Sequence, residues 1–178
     1  LRQAWKLRPE RQGLIKKWLL FQSEHDRHDL IVDFFEENLL PEEEFQVILL
    51  GSLVKNRNFE KFKRFLKHTP LSKDTHPQIQ FFHGSMAFEQ GDLRTAELEF
   101  KEYLKRSNTS PQRRRKSLEL LMEIARRQDN PHLQRSYIRQ VLQLAPDRPE
   151  LYVKLGDTYT GEGKKREALK AYMEALNF

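Results

Sequence analysis

The segment PELYVKLGDTYTGEGKKREALKAYMEALNF, residues 149–178, carries two helical patterns around one turn. Tyr152, Leu155 and Tyr159 recur at steps of three and four, as do Ala168, Tyr172 and Ala175. Each half therefore presents one apolar stripe at helical rather than strand period. Pro149 stands where a first-turn proline costs no hydrogen bond, and Gly161 and Gly163 supply the stop between the halves. Gly156 and Ala168 are small, and they fall where two antiparallel helices joined by so short a turn would touch. The glycines and Lys164 also suggest a phosphate-binding loop, which needs a glycine five residues before its Gly-Lys pair and a Ser or Thr after it. Thr158 and Lys165 occupy those positions, and no β-branched apolar run precedes them as a strand. The stretch is a turn.

Counted from Pro149, the fourth, seventh, eighth, eleventh, twentieth, twenty-fourth and twenty-seventh residues are Tyr152, Leu155, Gly156, Tyr159, Ala168, Tyr172 and Ala175. At these positions the segment resembles the tetratricopeptide repeat, a helix hairpin of about 34 residues. Earlier segments are similar at related spacings. A step of 34 residues back reaches Arg115, with Leu118, Leu121, Met122, Ala125, Ile138, Val141 and Pro146 in place and Gln134 where Ala is usual. A step of 38 reaches Pro77, with Gly84, Ala87, Gly91, Asp92, Ala96, Phe100 and Tyr103, and its four extra residues are assigned to the connection RSNTSPQR, 106–113. Steps of 33 reach Glu44 and then Arg11. The first of these places Val47, Leu50, Gly51 and Val54, with Phe62 and Leu66 one residue early; the second places Leu14, Phe21, Leu30 and Phe34, with Trp18 on the small position.

The resemblance implies an all-α solenoid of about five antiparallel hairpins in a right-handed superhelix, with repeats near 11–43, 44–76, 77–114, 115–148 and 149–178. Residues 1–10 would belong to a preceding helix. The chain opens on Leu1 rather than Met and stops within a helical pattern at Phe178, so it reads as a segment of a longer protein.

Composition agrees with an elongated helical fold. Only 38% of the 178 residues are apolar and 33% are charged, with a mean hydropathy of −0.80; yet 12 Phe and 5 Tyr at regular spacing argue against disorder. The absence of cysteine excludes disulfides and thiolate metal sites. The apolar run FQVILLGSLV, 45–54, is about half of the ~20 residues a membrane helix needs, so no membrane insertion is expected. Nor does a signal peptide show, and a soluble protein, cytoplasmic or periplasmic, is expected. The net charge of +6 is uneven: 33–44 carries six acidic residues and no Lys or Arg, whereas 101–139 is strongly basic. These two regions could pair head to tail between molecules, which makes self-association an expectation.

Candidate chemistry is sparse. HDRHD, 25–29, could put His25, His28 and Asp29 on one helical face as metal ligands, but it lacks further ligands. It is expected instead to be a charged turn, with Asp26 or Asp29 capping the second helix. No nucleophile triad or carboxylate pair stands out, so neither enzyme activity nor a cofactor is expected. Arg113, Arg114, Arg115 and Lys116 lie in the first turns of a helix, where the macrodipole opposes positive charge. That local cost invites an acidic protein partner. The aromatics do not interleave with these arginines as a stacking platform would, which disfavours nucleic acid.

In the resembled family the first helix of each repeat lines a concave groove. Carried over, the lining includes Ile48 and Ser52; Phe81, Ser85 and Phe88; Glu119, Glu123, Arg126 and Arg127; and Val153 and Asp157. Some members of the family grip a chaperone's C-terminal carboxylate with Lys and Asn side chains. Here Phe81, Ser85 and Leu120 hold those positions, which argues against that ligand. The expected function is a non-enzymatic scaffold that binds a partner peptide, helix or acidic surface in the groove or on the basic stretch. The alternatives are an RNA-associated helical-repeat module and the regulatory domain of a larger enzyme.

Overall fold

The computed structural model describes residues 9–38 and 40–178. Among these residues the chain forms ten helices and no strand: α1 (Pro9–Glu24), α2 (His28–Glu37), α3 (Glu43–Lys55), α4 (Phe59–Lys67), α5 (Pro77–Glu89), α6 (Leu93–Lys105), α7 (Pro111–Arg127), α8 (Pro131–Leu144), α9 (Pro149–Gly161) and α10 (Lys165–Ala175). The fold is all-α, as the repeat pattern implied, with helices adjacent in sequence packed pairwise from α1 to α4 and from α6 to α10. Of the segment expected to be a preceding helix, residues 1–8 lie outside the described residues, and Pro9 and Glu10 open α1.

One turn recurs five times. After α1, α3, α5, α7 and α9 a residue adopts the left-handed conformation: Asp26 (φ 54°), Arg57 (55°), Gly91 (81°), Asp129 (52°) and Gly163 (72°). At α9 the Gly163 N–H donates to Thr160 O (3.0 Å) and the Lys164 N–H to Tyr159 O (2.9 Å). The same bond pair closes the other four helices and satisfies carbonyls that a helix end leaves open. Only two of the five turns use glycine, the residue without a steric cost in this conformation. Asp129 is exposed, so Asp129→Gly is expected to stabilise the α7–α8 turn by roughly 0.5–1 kcal/mol in denaturant unfolding, because it removes left-handed strain. A loss of stability would contradict this account of the turn.

The chain divides into two compact units, Leu1–Asp92 and Leu93–Phe178. In the first, α3 packs against α1, α2, α4 and α5. Its residues Phe45, Val47, Leu49, Leu50, Leu53 and Val54 are buried on all sides, so the apolar run is a central helix rather than a membrane segment. Phe62 of α4 and Ile79, Phe82 and Met86 of α5 complete this core. A Cβ on Gly51 would lie 3.0 Å from Phe82 Cζ, so its smallness admits α5. This corrects the alignment of the second repeat: Leu50, seven residues before the left-handed turn as Gly156 is, holds the small position of the hairpin, and Gly51 comes one residue later.

The HDRHD turn does not gather ligands. His25 Nδ1 lies 2.7 Å from Phe21 O, whereas His28 is buried with Nδ1 3.2 Å from Ser52 Oγ. Burial, and then Lys55, hold His28 below the ordinary imidazole value against the opposing Asp26 and Asp29. Neither aspartate caps α2. Arg27 is the N-cap residue and makes no side-chain cap bond, and Asp26 is the turn residue itself.

In the second unit α6 packs on α7, α7 on α8, α8 on α9 and α9 on α10. Phe100, Tyr103, Leu121, Ile124, Ile138, Val141 and Leu151 are almost fully buried. Arg135 of α8 is buried and ties that helix to the end of α9: it donates to Thr158 O (3.3 Å) and Glu162 Oε1 (2.9 Å) and lies 4.8 Å from the centre of the Tyr159 ring. The four extra residues assigned to the connection after α6 instead lengthen a helix. α7 has 17 residues against 13 in α3, α5 and α9, because it begins at Pro111. Asn130 caps α8 by accepting from the Leu133 N–H.

Candidate partner-binding site

The left-handed turns give a common ruler for the residues expected to line a groove. Phe81, Ser85 and Phe88 stand ten, six and three residues before Gly91; Glu119, Glu123 and Arg126 stand at the same distances before Asp129. Val153 and Asp157 stand ten and six before Gly163. These sets share one face of their helices. Ile48 and Ser52 stand nine and five before Arg57, one residue further on and so about 100° round the helix.

That shift explains where they are. Ser52 is 1% exposed, donates to Ile48 O (3.0 Å) and meets His28, so it lines no groove. Ile48 is half-buried against Leu19, Ile31, Leu40 and Phe45. On α5, Phe81 is half-buried against the first unit's core, Ser85 Oγ donates back to Phe81 O (2.9 Å), and Phe88 is half-buried.

In the second unit, α7, α8 and α9 bring Glu123 and Arg126, Gln134, and Lys154 and Asp157 to one cavity of about 420 Å³, floored by Met122 and Thr158. Three of the expected groove residues thus converge. Glu123 accepts from Arg126 Nη2 (2.6 Å) and Arg127 Nε (2.9 Å). Those hydrogen bonds, that of Arg126 first, hold its carboxyl at about 2. Its charge is therefore fixed at neutral pH. Across the cleft Asp157 Oδ1 accepts from Tyr172 Oη (2.9 Å), which presents the carboxylate in a fixed orientation. Both signs of charge line the cavity. Glu119 and Val153 lie one turn earlier on the same faces: Glu119 accepts from Arg148 (3.2 Å), and Val153 is exposed.

The basic stretch does not form one patch. Arg114 Nη1 donates to Leu104 O (2.9 Å), at the end of α6, where a cation offsets the negative end of the helix dipole. Arg113 is half-buried, whereas Arg115 and Lys116 are exposed and lie 3.9 and 4.0 Å from Glu119. The positive charge that α7's own dipole opposes is thus answered within the chain. Sequence could not show this, because the acceptor at Leu104 is a backbone carbonyl.

Among the described residues no group of His, Asp and Glu is placed to hold a metal ion, and no helix is long and apolar enough to cross a membrane. The fold is that of a helical-repeat protein. Residues 149–178 match the profile of the tetratricopeptide repeat, so α9 and α10 form a repeat of that family. Comparison with curated proteins found no match. Such repeats are in general protein-interaction scaffolds.

Proposed function

We propose that the chain is a non-catalytic protein-binding scaffold whose second unit takes a charged segment of a partner in the cleft between α7 and α9. The convergence of Glu123, Arg126, Lys154 and Asp157 around that cleft carries the reading. Alternating charges on rigid helices favour one register of a segment with the complementary order of Lys or Arg and Asp or Glu, and they steer its approach. The basic stretch gives an acidic partner less to hold than its composition suggested, since Arg114 faces α6 and Glu119 shares Arg115 and Lys116.

The test uses a partner recovered with this chain in nuclease-treated extract and then purified. Lys154→Glu is expected to weaken its binding about five- to tenfold, mainly through slower association, and to reduce the salt dependence. The double variant Arg115→Glu, Lys116→Glu is expected to change affinity less than threefold. Binding indifferent to Lys154→Glu and to Asp157→Lys would overturn the assignment to this cleft.

A further inference from the structure

The first unit has a second concavity, on a different set of helices and independent of the cleft just described. Val32 and Phe35 of α2 and Phe65 of α4 wall a cavity of about 500 Å³ whose floor is Leu49 and Leu53 of α3. Phe35 and Phe65 are only partly buried, so the two facing walls offer apolar surface to a visitor above a floor that is itself almost wholly buried. The rim is polar and unequal. Glu36 and Lys61 form an ion pair across it, which neutralises both. Arg64 and His68 remain on the α4 side, so the rim carries an excess of positive charge there. Arg64 is exposed and its guanidinium makes no hydrogen bond or ion pair among the described residues.

We infer that this cleft is a docking site for an amphipathic helix of a partner protein that carries apolar side chains on one edge and a carboxylate beside them. The volume lies within the range of ligand pockets and admits side chains rather than a backbone. Two helices flanking an apolar floor receive the apolar edge of a third helix at positions i, i+4 and i+7. Charge complementarity with Arg64 selects an acidic flank. It also argues against α10 of a second copy as the occupant: its exposed apolar stripe, Leu169 and Met173, is flanked by Lys165, Arg166 and Lys170. Like charges would then meet at the rim.

A helix-stapled peptide of about 15 residues, with Leu at i, i+4 and i+7 and Glu at the flanking positions, is the probe; its control carries Lys in place of Glu. Fluorescence anisotropy with the whole chain is expected to show the Glu peptide binding about tenfold more tightly than the Lys peptide. Arg64→Glu, an exposed change that leaves the helical circular dichroism intact, is expected to abolish or invert that preference. Phe65→Ala is expected to weaken both peptides. Equal affinity for the two peptides, a preference that survives Arg64→Glu, or occlusion of the cleft in a dimer of the chain would each overturn the inference.

Discussion

Replacing Phe62 by Ala will cost about 3–5 kcal/mol of stability, the range found when a fully buried aromatic leaves a cavity. Phe62 is 0% exposed. It belongs to the core that α3 and α5 complete, and its ring meets that of His83 edge-on at 5.4 Å between centroids. No neighbouring side chain can refill this space without leaving its own contacts, because the surrounding Leu50, Leu53 and Ile79 are themselves buried. Denaturant unfolding followed by circular dichroism reads the loss, and hydrogen exchange should show it as lost protection in α3 and α4. Phe59→Ala, at a half-buried position of the same helix, is expected to cost less. A Phe62→Ala effect below about 1 kcal/mol would mean that α4 does not dock as described.

Gly156→Val is expected to destabilise the α9–α10 hairpin by about 3 kcal/mol, at the upper end of overpacking effects. Even a Cβ at this position would lie 2.3 Å from Tyr172 Cε1 and 2.6 Å from Cδ1. The ring cannot swing away freely, because its hydroxyl bonds Asp157 (2.9 Å) and lies 3.1 Å from Thr160 Oγ1. A double-mutant cycle isolates the contact. In a Tyr172→Ala background Gly156→Ala is expected to be neutral or to stabilise by up to about 1 kcal/mol, since Ala is the better helix former. Equal destabilisation in both backgrounds would sink the claim that the ring is what requires glycine.

That hairpin was the legible part of the sequence for a physical reason. Gly156 and Ala168 mark a close helix contact, and Gly163 marks a left-handed turn that also uses glycine. The first two hairpins make the same turn with Asp26 and Arg57, which carry no such signal. Gly51 then misled the register, because it is small for Phe82 of α5 and not for its own hairpin. The error of one residue carried Ser52 from the interior onto an expected groove. Where glycine or a correct spacing fixed the register, at α7 and α9, the positions of Glu123, Arg126 and Asp157 followed from the sequence. The apolar cleft of the first unit did not, because Phe35 and Phe65, which wall it, carry the same helical-period apolar signal as the buried Val32, Leu49 and Leu53. Only packing decides which apolar residues stay partly open.

The placement of partner binding is tested most directly by backbone chemical-shift mapping of the whole chain with and without its purified partner. The largest perturbations are expected at Glu123, Arg126, Lys154 and Asp157, on the facing sides of α7 and α9. Perturbations confined to α8 and α10, with those four residues unmoved, would contradict a first-helix cleft as the recognition surface.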